Sequence, residues 1–420
     1  MVASLAAIMF LSSGLGFYSL GVFITPFEEE FGWSRGQVSI GIALATTMSG
    51  LLGPLVGLAV QRLGARAVLA AGATGMGICF ALLGLTSSLL YLYVMMAAMA
   101  VWRAGLMLVP VSQVVANWFD RRRGLAMGVT TTGIGFGGLV MAPLSKVLIS
   151  SVGWRSTFFI MGVVIVAVGL PVALLVIRQH PADRGLQPDG RSPPTPRADP
   201  GPSSPPRAAP AAEVWSASEA IRTRAFVLST TAISLGFASV GAVLLHTSPF
   251  MEDRGIAPEL AGLILGLVSG VGILGKVGSG YMADRLPPNL VLAGVLLMEA
   301  VGLTVLIATE SMAGVAAFVL IFGYSMGAVV ALQPLVVLHW FGLASVATIV
   351  GAMTAFSSLF SALGPVFAGF MYDLLGSYTL AFVVFIAIDC FAALLVLFMR
   401  SPQLPVGVRP DALESPAAVC

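Results

Sequence analysis

The sequence predicts an all-α polytopic membrane protein, with twelve transmembrane helices arranged as two pseudo-symmetric six-helix bundles. Three observations lead there. Of 420 residues, 58% are hydrophobic and only 10% charged, with a mean hydropathy of +0.98, whereas soluble domains are roughly one quarter charged. Apolar runs of about 20 residues, enough to cross the hydrocarbon core, recur twelve times. The second half of the chain also repeats the first. Such a composition excludes a cytosolic globular protein, and it excludes disorder as the main theme. A net charge of +2 is too small and too dispersed for a nucleic-acid partner. Cys79, Cys390 and Cys420 are widely separated and imply neither a disulfide framework nor a metal site.

Taken in order, the first six runs fall at about 3–26, 36–60, 67–86, 89–117, 124–149 and 156–177. The second six fall at about 226–250, 258–283, 289–309, 312–339, 343–371 and 378–399. The first run lacks a basic leading region and is too long for a signal-peptide core, so it reads as a retained helix. The abundance of glycine, 48 residues, suits helices that pack closely inside a membrane. Between the two sets the composition changes abruptly. Ten prolines fall between Pro181 and Pro210, and such a stretch cannot bury enough apolar surface to order itself. The expected organisation is an N-terminal bundle over 1–178, a proline-rich linker over 179–224, a C-terminal bundle over 225–400 and a tail over 401–420. The end of the linker, VWSASEAIRTRAF, reads as a short amphipathic helix at the membrane interface.

Orientation follows from the arginines. A cytoplasmic N-terminus places 15 of them on the cytoplasmic side, including Arg62, Arg66, Arg121, Arg122, Arg123 and Arg285. Only Arg35, Lys146, Arg155 and Arg254 then lie outside, so both termini are expected in the cytoplasm.

The repeat carries the most information. PFEEEFG at 26–32 recurs as PFMEDRG at 249–255, and at the same offset of 223 Gly57 falls on Gly280 and Arg62 on Arg285. Further on, at an offset of 222, Trp102 falls on Tyr324, Trp118 on Trp340 and Pro143 on Pro365. Six helices per half, an even number, insert both halves the same way up about an axis normal to the membrane.

Here the sequence resembles the major facilitator superfamily. GLAVQRLGAR at 57–66 is similar to the family's GxxxDRxGRR signature, with Gln61 in place of the aspartate, while GYMADRLPP at 280–288 keeps Asp284 and Arg285. FGWSRGQVS at 31–39, NWFDRRRGLAMGVTTTGIGFGG at 117–138 and RQHPADRGLQPDG at 178–190 resemble the bacterial monocarboxylate and oxalate/formate carriers. The resemblance implies a carrier in a bacterial inner membrane, acting as a monomer by rocking two bundles about a central cavity. Animal monocarboxylate carriers have a lysine in the first helix; here no lysine precedes Lys146.

Four ionisable residues lie deep in the apolar runs: Arg103, Lys276, Glu299 and Asp389. Each is costly in hydrocarbon and should face a cavity or a partner. The repeat overlays Lys276 on Gly53 and Arg103 on Ser325, so neither cation is duplicated. Two unduplicated cations suit an anionic substrate. Lys276 also matches the helix-eight arginine of the carboxylate carriers. Its other reading is an ion pair with Glu299, which lies at about the same depth on the next helix. The two readings combine if protonation of Glu299 frees Lys276. Glu299 and Asp389 are therefore the candidate proton-coupling groups, although Asp389 could simply make a local hydrogen bond. Arg103 could be structural or bind substrate. Tyr18, Gln113, Tyr324 and Gln333 are candidates to shape the pocket. Arg62, Arg66, Asp284 and Arg285 read as gate residues that join helix ends in one state and part in the other.

No nucleotide, metal or covalent-catalysis motif appears, so neither an enzyme nor a cofactor is expected. The expected partners are a small organic anion, protons and the bilayer. The function expected is secondary transport of a monocarboxylate such as lactate, pyruvate or formate, by symport or exchange. A polyspecific exporter of hydrophobic compounds, a dicarboxylate exchanger and a substrate-sensing receptor are the alternatives.

Overall fold

The structure, a computed structural model, describes residues 1–33, 35–190, 215–343 and 345–399. Most of the proline-rich linker and the C-terminal tail lie outside these residues. Twelve spans follow one another. They are α1 (Val2–Phe31), α2 (Arg35–Leu51 with Gly53–Leu63), α3 (Ala65–Leu83), α4 (Leu89–Ala104 with Leu108–Trp118), α5 (Arg123–Val152) and α6 (Trp154–Val176). The second set is α7 (Arg224–Glu252), α8 (Pro258–Ala283), α9 (Pro288–Ala308), α10 (Met312–Phe341), α11 (Val346–Leu375) and α12 (Thr379–Leu397). Eleven are long and apolar enough to cross a membrane unaided, and α2 is the twelfth, bent by 49° at its break.

Within each half the packing obeys one plan. In the first, α1 lies on α5, α2 on α4 and α3 on α6. Six helices later the same partnerships recur, with α7 on α11, α8 on α10 and α9 on α12. The halves meet along two further equivalent seams, α5 with α8 and α2 with α11. The repeat-related glycines Gly280 and Gly57 mark these seams. A Cβ on Gly280 would fall 2.1 Å from the Gly124 carbonyl oxygen, and one on Gly57 would fall 2.5 Å from the Thr348 Cα. Backbone touches backbone there, a contact only glycine permits. Both seams are tight at the end where α2, α4 and α8 finish and α5, α7 and α11 begin, here the linker end.

Several spans are broken, and sequence chemistry explains where. Pro54 at the start of the second α2 segment has no N–H to donate and crowds the preceding turn. Pro110 does the same in α4, where Gly105 to Met107 leave the helical path before Leu108. The first span is regular from Val2 to Ser13, widens into a π turn over Gly14–Tyr18, tightens into a 3-10 turn over Leu20–Phe23 and resumes at Ile24. Pro26 falls in the first turn of that last segment, where its missing N–H costs little.

The expected linker begins too early. Residues 179–190 are fastened to the first half. Trp118 Nε1 donates to the Arg178 carbonyl at 2.7 Å, Asn117 Nδ2 donates to the Gln179 carbonyl at 3.1 Å, and Gln179 Oε1 accepts from Ala65 N–H at 3.1 Å. Short 3-10 turns at Pro181–Arg184 and Pro188–Gly190 use the prolines as turn formers. This stretch is held because the end of α4 and the start of α3 offer donors to Arg178 and Gln179. After the undescribed residues, a helix at Ala217–Ile221 is opened by a capping box between Ser216 and Glu219. It is tied to the second half, since Ser345 Oγ donates to the Trp215 carbonyl at 3.1 Å and the Trp215 ring meets Phe341 edge-on at 5.9 Å.

Candidate functional site

Arg103 is where the breaks of α1 and α4 meet. It occupies the last turn of Leu89–Ala104, so the carbonyl end of that segment lies beside its charge. Across from it the π turn of α1 brings up three residues. Gly16 sits against the arginine stem, where a Cβ would fall 2.9 Å from Cδ. The Phe17 ring centroid is 5.7 Å from the guanidinium carbon, and Tyr18, next to it in the π turn, lays its ring over Gly138 of α5. Irregular backbone at this depth is tolerated where it is buried in protein or lines a cavity. Arg103 is 6% exposed, yet its Nε and Nη1 have no hydrogen-bond partner, and it joins no ion pair among the described residues. A guanidinium with unused donors is suited to a carboxylate.

Lys276 lies in the α5–α8 seam. Its side chain is buried, its carbonyl oxygen sits against Gly128, and its Nζ would be 3.9 Å from a Cβ on Gly135. The alternative, an ion pair with Glu299, is not formed between these two described residues. Glu299 lies on a different face of α9. α9 packs principally on α10 and α12, and Glu299 turns away from α8. A Cβ on Gly236 of α7 would be 3.3 Å from Glu299 Oε2, and its acidic neighbour is Asp389 of α12. Asp389 Oδ2 in turn accepts from Ser239 Oγ at 2.9 Å. A scheme in which Glu299 directly holds and frees Lys276 therefore has no geometric basis here.

The polar candidates are dispersed. Gln113 donates to Asn117 Oδ1 at 3.1 Å, and Gln333 donates to Thr354 Oγ1 at 3.1 Å, linking α10 to α11. Tyr324 lies along Gly275 and Gly278 of α8, its hydroxyl 4.0 Å from Met282 Sδ. Of the candidates, only Tyr18 is brought to Arg103.

At the linker end Asp284 closes the α5–α8 seam. Its Oδ1 accepts from Gly124 N–H at 2.6 Å and its Oδ2 from Leu125 N–H at 2.9 Å. These are amides of the first turn of α5, which no intrahelical carbonyl can satisfy. Burial pushes the Asp284 carboxyl above the ordinary carboxylate range, with nearby Asp189 adding to the rise; the two amides and Arg122 oppose it. Arg285 stacks on Tyr281, 3.6 Å from its ring centroid. Arg66, expected to bond across to the other half, instead donates to the Leu174 carbonyl of α6. The π turn at Val172–Val176 leaves carbonyls unpaired within reach of that guanidinium. Arg62 is exposed at the end of α2.

Sequence reasoning missed Asp189, whose carboxylate accepts from Asp120 N–H at 3.2 Å and Arg121 N–H at 2.9 Å. It holds the α4–α5 turn from below, as Asp284 holds the start of α5 from the other half. The signal was the PDG turn, where Asp189 takes a left-handed φ of 61°. Phe17 and Ser239 carried no signal beyond their place in an apolar run.

Known proteins agree with this architecture. The family model of the Major Facilitator Superfamily matches residues 6–339. Human monocarboxylate transporter 11 is 28% identical over 393 residues, covering 90% of this chain and 78% of the relative. Bovine monocarboxylate transporter 13 is 24% identical over 376 residues, covering 87% and 81%. Among solved structures, the E. coli fucose:proton symporter superposes with a TM-score of 0.70 at 15% identity, covering 94% of this chain and 98% of that one. A second structure of that transporter, in the outward conformation, superposes equally well at 0.70. At that identity the likeness is one of fold alone. With twelve spans, a family match along most of its length and relatives that transport rather than catalyse, this chain belongs to the Major Facilitator Superfamily.

Proposed function

We propose that the protein is a secondary carrier of a small organic anion, a monocarboxylate such as lactate, pyruvate or formate, working by alternating access. The observation that carries this reading is a pair of buried cations, Arg103 in the first half and Lys276 in the second, neither in an ion pair among the described residues. An uncompensated cation in hydrocarbon is expensive, and a carboxylate is the ligand that relieves it. The printed names of the relatives, monocarboxylate transporters 11 and 13, support the same substrate class. In this reading the seams closed at the linker end are one end-state of the cycle. The arginine bias supports a cytoplasmic side for that end and for both termini; the bacterial inner membrane and a monomeric state rest on the family resemblance alone. Charge is balanced either by a proton or by an exchanged anion.

The test is uptake of a panel of radiolabelled organic acids into reconstituted vesicles, with and without a pH gradient. Lys276→Ala should lose uptake by about 100-fold, the scale of one charge-assisted contact of about 3 kcal/mol. Lys276→Arg should keep part of it, since charge survives but reach and donor geometry differ. Undiminished uptake by inserted, monodisperse Lys276→Ala removes the lysine from the site. A second reading is favoured by there being two cations, one in each half: a dicarboxylate exchanger would place one carboxylate on each. Saturable exchange of dicarboxylates, with monocarboxylates ineffective, would select it.

A further inference from the structure

Glu299 and Asp389 answer to neither cation. They approach the same turn of α7 from two sides. Gly236 leaves the space that the Glu299 carboxyl fills, and Ser239, three residues on, donates its hydroxyl to Asp389 Oδ2. Both carboxyls are 0% exposed. Neither oxygen of Glu299 has a hydrogen-bond partner, and Asp389 Oδ1 has none. The other ionisable groups on the packed helices are engaged elsewhere. On α8, Lys276 reaches toward Gly135 of α5. Arg254 donates to carbonyls at the end of α9, those of Leu306, Ile307 and Thr309. On α10, Tyr324 points to Met282, and His339 lies edge-on to Trp340. On α7 itself, His246 bonds the Pro365 carbonyl of α11 at 2.9 Å.

We propose that Glu299 and Asp389 form one proton-binding site, occupied in this arrangement, with the proton on Glu299 and the Ser239 hydroxyl serving Asp389. Two adjacent carboxylates in an apolar interior repel each other, and each would lack its solvation; an ionised Glu299 would have no donor at all. A neutral Glu299 removes the repulsion, lowers the cost of burial and lets α7 pack against α9 and α12. Losing the proton should force the three helices apart or admit water. The site is thus a proton store set between the helices of the second half and separate from Lys276. It rests on the carrier reading for its use but not for its existence.

The test needs no transported substrate. Infrared difference spectra of the purified wild-type protein, titrated from neutral to alkaline pH, should show loss of a protonated-carboxyl C=O band. Glu299→Gln should abolish that band, and Asp389→Asn should shift its titration toward lower pH by removing the neighbouring negative charge. Melting measured over the same range should fall with rising pH in the wild type and stay flat in Glu299→Gln, whose amide imitates the protonated acid. A band that survives in Glu299→Gln, or a variant that melts with the wild-type pH dependence, overturns the proposal.

Discussion

Asp284→Ala should open the linker end. The carboxylate is the acceptor for two amides of the first turn of α5, at 2.6 and 2.9 Å, and it crosses from one half of the molecule to the other. Truncation leaves both amides facing a half-buried seam. A buried unpaired amide costs about 1–3 kcal/mol, and partial access of water recovers some of this. For the pair a cost of about 2 kcal/mol follows, which is roughly a 30-fold change in the ratio of closed to open molecules. Asp284→Asn keeps one acceptor oxygen and should lose about half as much. Spin labels at Leu63→Cys and Leu286→Cys, exposed and on opposite halves, would report the separation by pulsed electron resonance, with the three native cysteines replaced by serine. The alanine variant should move population from a short to a long distance. Its turnover should slow more than its substrate binding weakens, because the residue biases an equilibrium without touching ligand. An unchanged distance distribution, or binding and turnover falling in parallel, refutes the latch.

Three further outcomes follow from the same seams. Burial holds the Asp284 carboxyl above its ordinary range when the seam is closed, so the closed form binds that proton more tightly than a form in which the residue faces water. Lowering the pH toward the ordinary carboxylate value should therefore favour closure, raising it through the closed-state value should remove that advantage, and Asp284→Asn should flatten the spin-label titration. Gly57→Val would drive a side chain onto the Thr348 backbone, where even a Cβ falls 2.5 Å from Cα. Overpacking of about 1–3 kcal/mol should lower the melting temperature and widen the Leu63–Leu286 distance. Gln61→Asp would restore the carboxylate that the repeat places opposite Asp284, beside the first turn of α11. It should favour closure by about 1 kcal/mol, roughly five-fold, and slow turnover in a counterflow assay; a variant cycling at the wild-type rate would show that the two helix ends are not equivalent.

How much was legible in the sequence depended on the kind of signal. Helix number and repeat were plain, because hydropathy over 20 residues averages out local accidents, and tryptophan and proline in a shared register fix the halves. Breaks within helices were not, since LGFYSLG around the π turn is as apolar as its surroundings. The facing of a helix was not legible either. The long helices α9 and α10 are apolar nearly all round, so no amphipathic stripe told that Glu299 looks toward α7 and α12 rather than Lys276. Composition also misled at residues 179–190. Proline-rich chain reads as flexible when considered alone, yet here the donors of Asn117, Trp118 and the Ala65 backbone hold it in place.

The frame is duplicated while its chemistry is not, and that difference bears on how a charge in the middle of the molecule could be felt at its end. Equivalent seams, α5–α8 and α2–α11, close on equivalent glycines, but only the first has a carboxylate at its end, because Gln61 stands where the repeat would place a second aspartate. The same seam also contains Lys276. Eight residues of α8, about 12 Å of helix, separate Lys276 from Asp284, and both touch α5, one against Gly128 and the other against Gly124 and Leu125. Parting α8 from α5 would therefore expose the lysine and break the latch in a single movement. An anion that neutralises Lys276 lowers the cost of keeping it buried, and so stabilises the same closed seam that Asp284 fastens. The second seam has backbone contact but neither charge, and can act as the matching surface against which the first one works.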